Sequence, residues 1–177
     1  SDASSVTRDY TLELDTQGPP LLSIFGGKLT TYRRLAEEVI HSLQPLLSNA
    51  ATDWTADVPL PGGDMPNGNF KQFLSQLRHD YPSLPAPQLL RWAHAYGSRV
   101  RQMLGGGKSV ADLGAEVLPG LYECELHYLI DHEWAVTADD ILWRRSKLGL
   151  HLGADAATRL TGWLGTQGFV DETSSTS

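Results

Sequence analysis

The stretch Leu21-Leu22-Ser23-Ile24-Phe25-Gly26-Gly27-Lys28-Leu29-Thr30-Thr31-Tyr32-Arg33 decides how the rest of the chain is read. An apolar run ends in two glycines, a lysine follows, and then apolar residues recur every three or four positions. That order predicts a strand, a tight turn and a helix. Adjacent glycines adopt dihedrals that a Cβ forbids and let a ligand approach the bare main chain. The helix beyond them aims its free N–H groups at the same spot, which favours negative charge. Lys28 adds a cation beside it. Any chemical site in the chain is expected here.

Working outward, Tyr10, Leu12 and Leu14 alternate with polar residues in Arg8–Asp15, the pattern of a half-buried strand. Thr16 to Pro20 reads as a turn. Leu21 to Phe25 reads as a buried strand, so an antiparallel hairpin is the simplest arrangement. It brings Arg8 towards the Gly26-Gly27-Lys28 end of the second strand. A two-stranded hairpin alone is marginal in water, so a larger sheet outside the chain is expected. Downstream, Tyr32, Leu35, Ala36, Val39, Ile40 and Leu43 share one helix face. Pro45 is expected to limit that helix.

Prolines and glycines then punctuate Thr55 to Asn69, the expected boundary region. Beyond it the chain reads as all helix. One stripe is Phe70, Phe73, Leu74 and Leu77. The next runs from Leu89 through Trp92, Tyr96 and Val100 towards Leu104. Leu121 to Trp134 follows, then a segment opened by Thr137 and Asp140 in the manner of a capping box. Asp155 to Thr166 comes last. The fold class expected is mainly α, a short N-terminal β-hairpin followed by a C-terminal helical bundle. The domains are expected at residues 1–50 and 51–177.

Composition narrows the function classes. With 177 residues, 41% of them hydrophobic, the chain can bury a real core. No stretch approaches the roughly 20 apolar residues of a membrane-spanning helix. Ser1 to Ser5 lacks the basic-then-apolar pattern of a secretory leader. The single cysteine, Cys124, excludes an internal disulfide and suits a reducing compartment. The net charge of −7 argues against nucleic acid and against broad attraction to anionic lipid.

Other candidate motifs yield to plainer readings. Gly26-Gly27-Lys28 fails the phosphate-loop pattern, because position 22 is Leu and the lysine is followed by Leu29. On spacing alone, a glycine turn before a helix with a surface lysine is the leading reading. His127, Asp131, His132 and Glu133 suggest a metal cluster, but no third ligand is indicated, and no metal is expected. Cys124 reads as a core thiol. Trp92, Trp134, Trp143 and Trp163 read as core positions. Arg144-Arg145 reads as a helix surface or an ion pair.

Several stretches together resemble one family. They are Thr7-Arg8-Asp9-Tyr10, Phe25 to Arg33, Leu60-Pro61-Gly62-Gly63, Asp131-His132-Glu133-Trp134, and Asp139 through Arg145. In that order they resemble the C-terminal third of bacterial aerobic glycerol-3-phosphate dehydrogenase, the FAD-dependent, quinone-reducing flavoprotein. The resemblance implies that residues 1–50 end an FAD-binding domain and that the rest is its helical C-terminal domain. It implies oxidation of sn-glycerol 3-phosphate to dihydroxyacetone phosphate, with hydride passing to FAD and electrons to a membrane quinone. Carried over by position, Lys28 lies by flavin and substrate as the catalytic candidate, and Arg8 binds the substrate phosphate. Gly26, Gly27, Leu29 and Thr30 contact the cofactor. The chain alone lacks most of that site and is expected to bind no FAD and to be inactive.

The resemblance also implies a cytoplasmic enzyme, peripheral on the inner membrane through parts outside this chain. A homodimer is consistent with it. The competing reading is a helical binding or regulatory module with no catalytic role.

Overall fold

In a computed structural model of the chain, β1 (Tyr10–Asp15) and β2 (Leu21–Gly26) pair antiparallel, with Tyr10 opposite Gly26 and Leu12 opposite Ile24. The structure describes residues 10–47 and 52–168. Tyr10 and Leu12 are half-buried between exposed neighbours, as the alternation predicts, whereas Leu14, expected on the same face, is exposed. β2 departs from its expected burial: Leu21, Ile24 and Phe25 are exposed, because nothing among the described residues covers them. A 3-10 turn at Leu29–Thr31 leads into α1 (Tyr32–Leu47). Pro45 sits inside that helix, which runs two residues past it. This close to the described end, the missing N–H removes little from the ladder.

The chain divides into two compact units, Ser1–Pro59 and Leu60–Ser177. Residues 52–59 group with the first. The Thr55 hydroxyl donates to Glu37, which also accepts from Arg33 at 2.6 Å, and Asp53 meets His41 at 2.9 Å. The Thr55 hydroxyl and the Arg33 guanidinium hold the Glu37 carboxyl below its usual range. No described residue of this first unit is buried.

The second unit is mainly helical and closes on itself. Asn69 caps α2 (Phe70–Asp80), its side-chain oxygen accepting from Gln72 N–H at 3.1 Å. Pro87 opens α3 (Ala86–Tyr96), where a missing N–H is harmless. The helix expected to run on to Leu104 instead breaks at Gly97, whose φ is 55°, and resumes as α4 (Val100–Leu104). The cause lies 35 positions away. A Cβ at Gly97 would stand 2.0 Å from the Gly62 carbonyl oxygen, which accepts from Ser98 N–H at 2.9 Å. Two backbones cross there and both need glycine.

Residues 112–122 correct the all-helical expectation. They hold a small hairpin, β3 (Glu116–Leu118) and β4 (Leu121–Tyr122), turned at Pro119-Gly120. α5 (Glu123–Glu133) follows and ends at Trp134, which takes the left-handed conformation at φ 55°. Thr137 and Asp140 cap each other as expected, through Thr137 N–H to Oδ2 at 2.9 Å and Asp140 N–H to Oγ1 at 3.1 Å. The helix they start is a π-helix, Asp140–Arg145, rather than an α-helix. Ser146 supports the wide turn, donating to the Ile141 carbonyl from both its N–H (3.0 Å) and its hydroxyl (2.6 Å). α6 (Ala156–Thr166) closes the chain's described part.

The core gathers Phe73, Leu77, Leu89, Trp92, Leu126, Leu129, Ile141 and Leu160 from five helical segments. Burying each such side chain stabilises the fold by about 1.5–3 kcal/mol. At its centre one charge has no exposed surface: Glu125. Its Oε1 accepts from Arg91 Nη1 (2.7 Å) and the Tyr96 hydroxyl (2.6 Å). Its Oε2 accepts from Arg91 Nη2 (2.5 Å) and the Trp92 indole N–H (2.8 Å). Burial and the neighbouring carboxylate push the Tyr96 hydroxyl far above its ordinary pKa. Desolvation works against the Arg91 charge, yet Glu125 holds that guanidinium protonated more firmly than usual.

Two outcomes follow from this packing. Glu125→Ala strands Arg91 and two other donors, Trp92 and Tyr96, so it should cost about 3–5 kcal/mol in urea unfolding; a loss near zero would contradict a closed network. Asp140 supplies an acid limb. Burial favours its neutral form, but the N–H groups of Thr137 and Val136 hold the carboxyl down to about 2. Its contribution is therefore present above the ordinary carboxyl range near 3.8 and is lost as pH falls towards 2. Asp140→Asn should flatten that part of a stability-versus-pH curve measured by circular dichroism.

Candidate functional site

The turn at the end of β2 keeps the order the sequence predicts, and its geometry shows why both glycines are needed. Gly26 has φ 80° and Gly27 φ 108°, conformations in which a side chain is strained. Space is not the limit at Gly27, where a Cβ would come no closer than 3.4 Å to Leu35 Cδ2. Lys28 returns to extended backbone at φ −124°. Thr31 then locks the turn. Its hydroxyl accepts from Lys28 N–H at 3.3 Å and donates to the Lys28 carbonyl at 3.1 Å, and its N–H donates to the same carbonyl at 3.0 Å.

These bonds sort the predicted contacts. The Lys28 N–H is committed to Thr31, so Lys28 contributes its ammonium rather than its backbone. That ammonium has no ion pair among the described residues. Gly26, Gly27, Lys28, Leu29 and Thr30 are all exposed and contiguous, and Leu29 is 88% exposed. The structure thus gathers five of the predicted site residues on one open edge. Arg8 lies outside the described residues; Tyr10, two positions on, pairs with Gly26.

The other motifs find structural roles. Among the described residues no group of three or more His, Cys, Asp or Glu could hold a metal ion. His127 packs edge-on against Trp163 at 5.6 Å. Cys124 is half-buried against the core, and burial pushes its thiol up to about 12. Arg144 pairs with Asp140 at 2.8 Å. Trp92 is core, as expected. Trp134 and Trp143 are not: Trp134 is 83% exposed because α5 ends beneath it, and Trp143 lies half-open across Gly149. Sequence reasoning also passed over Glu125, a lone acid among apolar helix positions, for which burial is the only signal.

Residues 54–166, more than half of the chain, match the family described as the C-terminal domain of alpha-glycerophosphate oxidase. The chain belongs to that family. Among its relatives, the glycerol-3-phosphate dehydrogenase of Pseudomonas aeruginosa is 49% identical over 165 residues, 92% of this chain and 32% of the relative. The aerobic glycerol-3-phosphate dehydrogenase of Escherichia coli is 45% identical over 90% of this chain and 32% of its own length. The D-erythritol 1-phosphate dehydrogenase of Brucella abortus is 40% identical over 94% of this chain and 34% of its own length. The chain therefore spans about a third of the length of these curated relatives. Coverage above 90% of the chain takes in the Gly26–Thr30 turn, which the family match at residues 54–166 does not. Among the described residues no helix is long and apolar enough to cross a membrane.

Proposed function

We propose that this chain is the C-terminal part of an FAD-dependent dehydrogenase that oxidises sn-glycerol 3-phosphate to dihydroxyacetone phosphate. The observation that carries the reading is the open edge at Gly26–Thr30, in a chain similar over nine-tenths of its length to enzymes named for that substrate. The residues fit a flavin edge. Two glycines at positive φ leave bare backbone, Lys28 offers an ammonium with no ion pair among the described residues, and a helix start lies behind it.

When bound, FAD would supply the hydride acceptor for C2 of the polyol phosphate and the relay of electrons to a membrane quinone, while the hydroxyl proton would pass to a base in the rest of the longer protein. The chain's own residues bind and orient. Gly26 and Gly27 admit a flat ring system against the main chain. Lys28, held in place by Thr31, puts a cation where negative charge develops, which stabilises the transition state more than the ground state. Arg8 supplies a fork for the substrate phosphate. The first unit would complete an FAD-binding domain contributed by the longer protein, and the second would be the helical C-terminal domain. The chain by itself would be inactive. The enzyme would work in the cytoplasm, peripheral on the inner membrane through other parts, with a homodimer as the state to test.

The longer protein should be yellow, with flavin absorbance, and should reduce a dye in a glycerol-3-phosphate-dependent manner. Colourless protein without that activity would sink the enzyme reading and favour a helical docking module. The Brucella relative supports a second substrate, so D-erythritol 1-phosphate belongs in the same assay. Lys28→Ala in the longer protein should lower kcat by about 100-fold or more, the scale of one lost transition-state contact. Its unfolding midpoint should stay near that of the parent. Unchanged kinetics would remove Lys28 from the site.

A further inference from the structure

An open cavity of about 330 Å3 in the second unit carries two opposite charges that do not meet. The Gly62–Gly97 backbone crossing builds one wall, and a crossing that tolerates no Cβ is a rigid one. Phe70 stacks on His94 with ring centroids 4.4 Å apart, and with Met65 it forms the apolar side. Arg99 and Glu133 line the polar side.

Neither of these charges has an ion-pair partner among the described residues. Both reach the same hydroxyl instead. Arg99 Nη1 donates to Tyr128 Oη at 3.4 Å, and Tyr128 Oη donates to Glu133 Oε1 at 3.2 Å. Tyr128 is buried and packs edge-on against Tyr96 at 5.3 Å, so its hydroxyl acts as a fixed spacer. Among the described residues, most of the Arg99 donors and one Glu133 oxygen have no other hydrogen bond and can meet a guest.

The pair of charges selects the guest. An oxyanion alone is drawn to Arg99 and repelled by Glu133, and an ammonium alone meets the reverse. A molecule that carries both, a few bonds apart, complements both at once. We propose that this cavity binds a small zwitterion. Its carboxylate or phosphate lies on Arg99, its primary ammonium on Glu133, and its apolar part against Phe70 and Met65. Either oxyanion meets a guanidinium fork through parallel hydrogen bonds, so a free amino acid and a phosphoethanolamine group are the two sources of this chemistry. The site uses no residue of the Gly26–Thr30 turn and stands or falls apart from it.

Isothermal titration of the 177-residue chain with L-leucine and with O-phosphoethanolamine tests the inference and separates the sources. At least one should bind saturably at millimolar concentrations. Arg99→Met and Glu133→Gln should each weaken that binding by about tenfold or more, as should removal of either charge from the ligand. Ala95→Phe, which fills the cavity wall without touching either charge, should also abolish it, and circular dichroism checks that each variant is folded. Saturation by neither zwitterion overturns the proposal. So does a folded Glu133→Gln or Ala95→Phe chain that binds like its parent.

Discussion

Four donors from three consecutive-turn residues of one helix converge on the two oxygens of Glu125, and the second unit is arranged around that meeting. Arg91, Trp92 and Tyr96 all lie on α3, whereas Glu125 lies in the first turn of α5. Arg91 reaches further, donating from Nη2 to the Gly120 carbonyl at 2.7 Å, and Gln88 donates to the same oxygen at 2.9 Å. One carboxylate therefore ties two helices and the β3–β4 turn together. Sliding α5 by one residue would present Cys124 or Leu126 to the guanidinium and bury its charge without a partner. A buried ion pair adds little net stability over an apolar packing of the same volume. Its effect here is to make the alternatives expensive, which selects one register.

That closure distinguishes the two units. The second buries aromatic and aliphatic side chains from every helix. Among the described residues the first buries none, although α1 is strongly amphipathic and β2 is apolar. Tyr32 and Ile40 on the helix, and Leu21 and Phe25 on the strand, stay exposed. A hairpin and one helix present too little surface to cover each other's apolar faces. Such a unit gains most of its burial from further elements. This is why its glycine turn reads as one edge of a larger site rather than as a pocket of its own.

The legible part of this fold is the part with a period. α1, α2, α3 and α6 each carry apolar residues at three and four positions, and each forms about where that spacing indicates. The Thr137–Asp140 cap is legible because both partners sit within one turn. The misses have a common cause in causes that lie far along the chain, or in segments too short to show a period. The break at Gly97 is dictated by Gly62. β3 and β4 have three and two residues, so only Pro119-Gly120 announces them. Glu125 looks like an interruption of an apolar face until Arg91 is seen opposite it. Trp134 keeps the helical spacing but stands where α5 has already unwound. At the candidate site the sequence shows the contiguous run from Gly26 to Thr30. It does not show that Thr31 takes up the Lys28 N–H, because that bond depends on the turn being 3-10.

The chemistry of the turn depends on what covers it. Thr31 and the two glycines fix where the Lys28 ammonium begins its reach, and they do so from within the unit. The strength of that cation is a different matter. Two unit charges 4 Å apart attract by about 1 kcal/mol in water and by about 4 kcal/mol near a partly dry protein surface. An open turn of this kind holds the geometry of an electrostatic site without its force. Covering Phe25, Leu29 and Tyr32, the exposed apolar residues on either side, would remove water from the same edge. The burial that the first unit lacks and the electrostatic strength that Lys28 lacks would thus be supplied by one event, the docking of apolar surface over the end of β2.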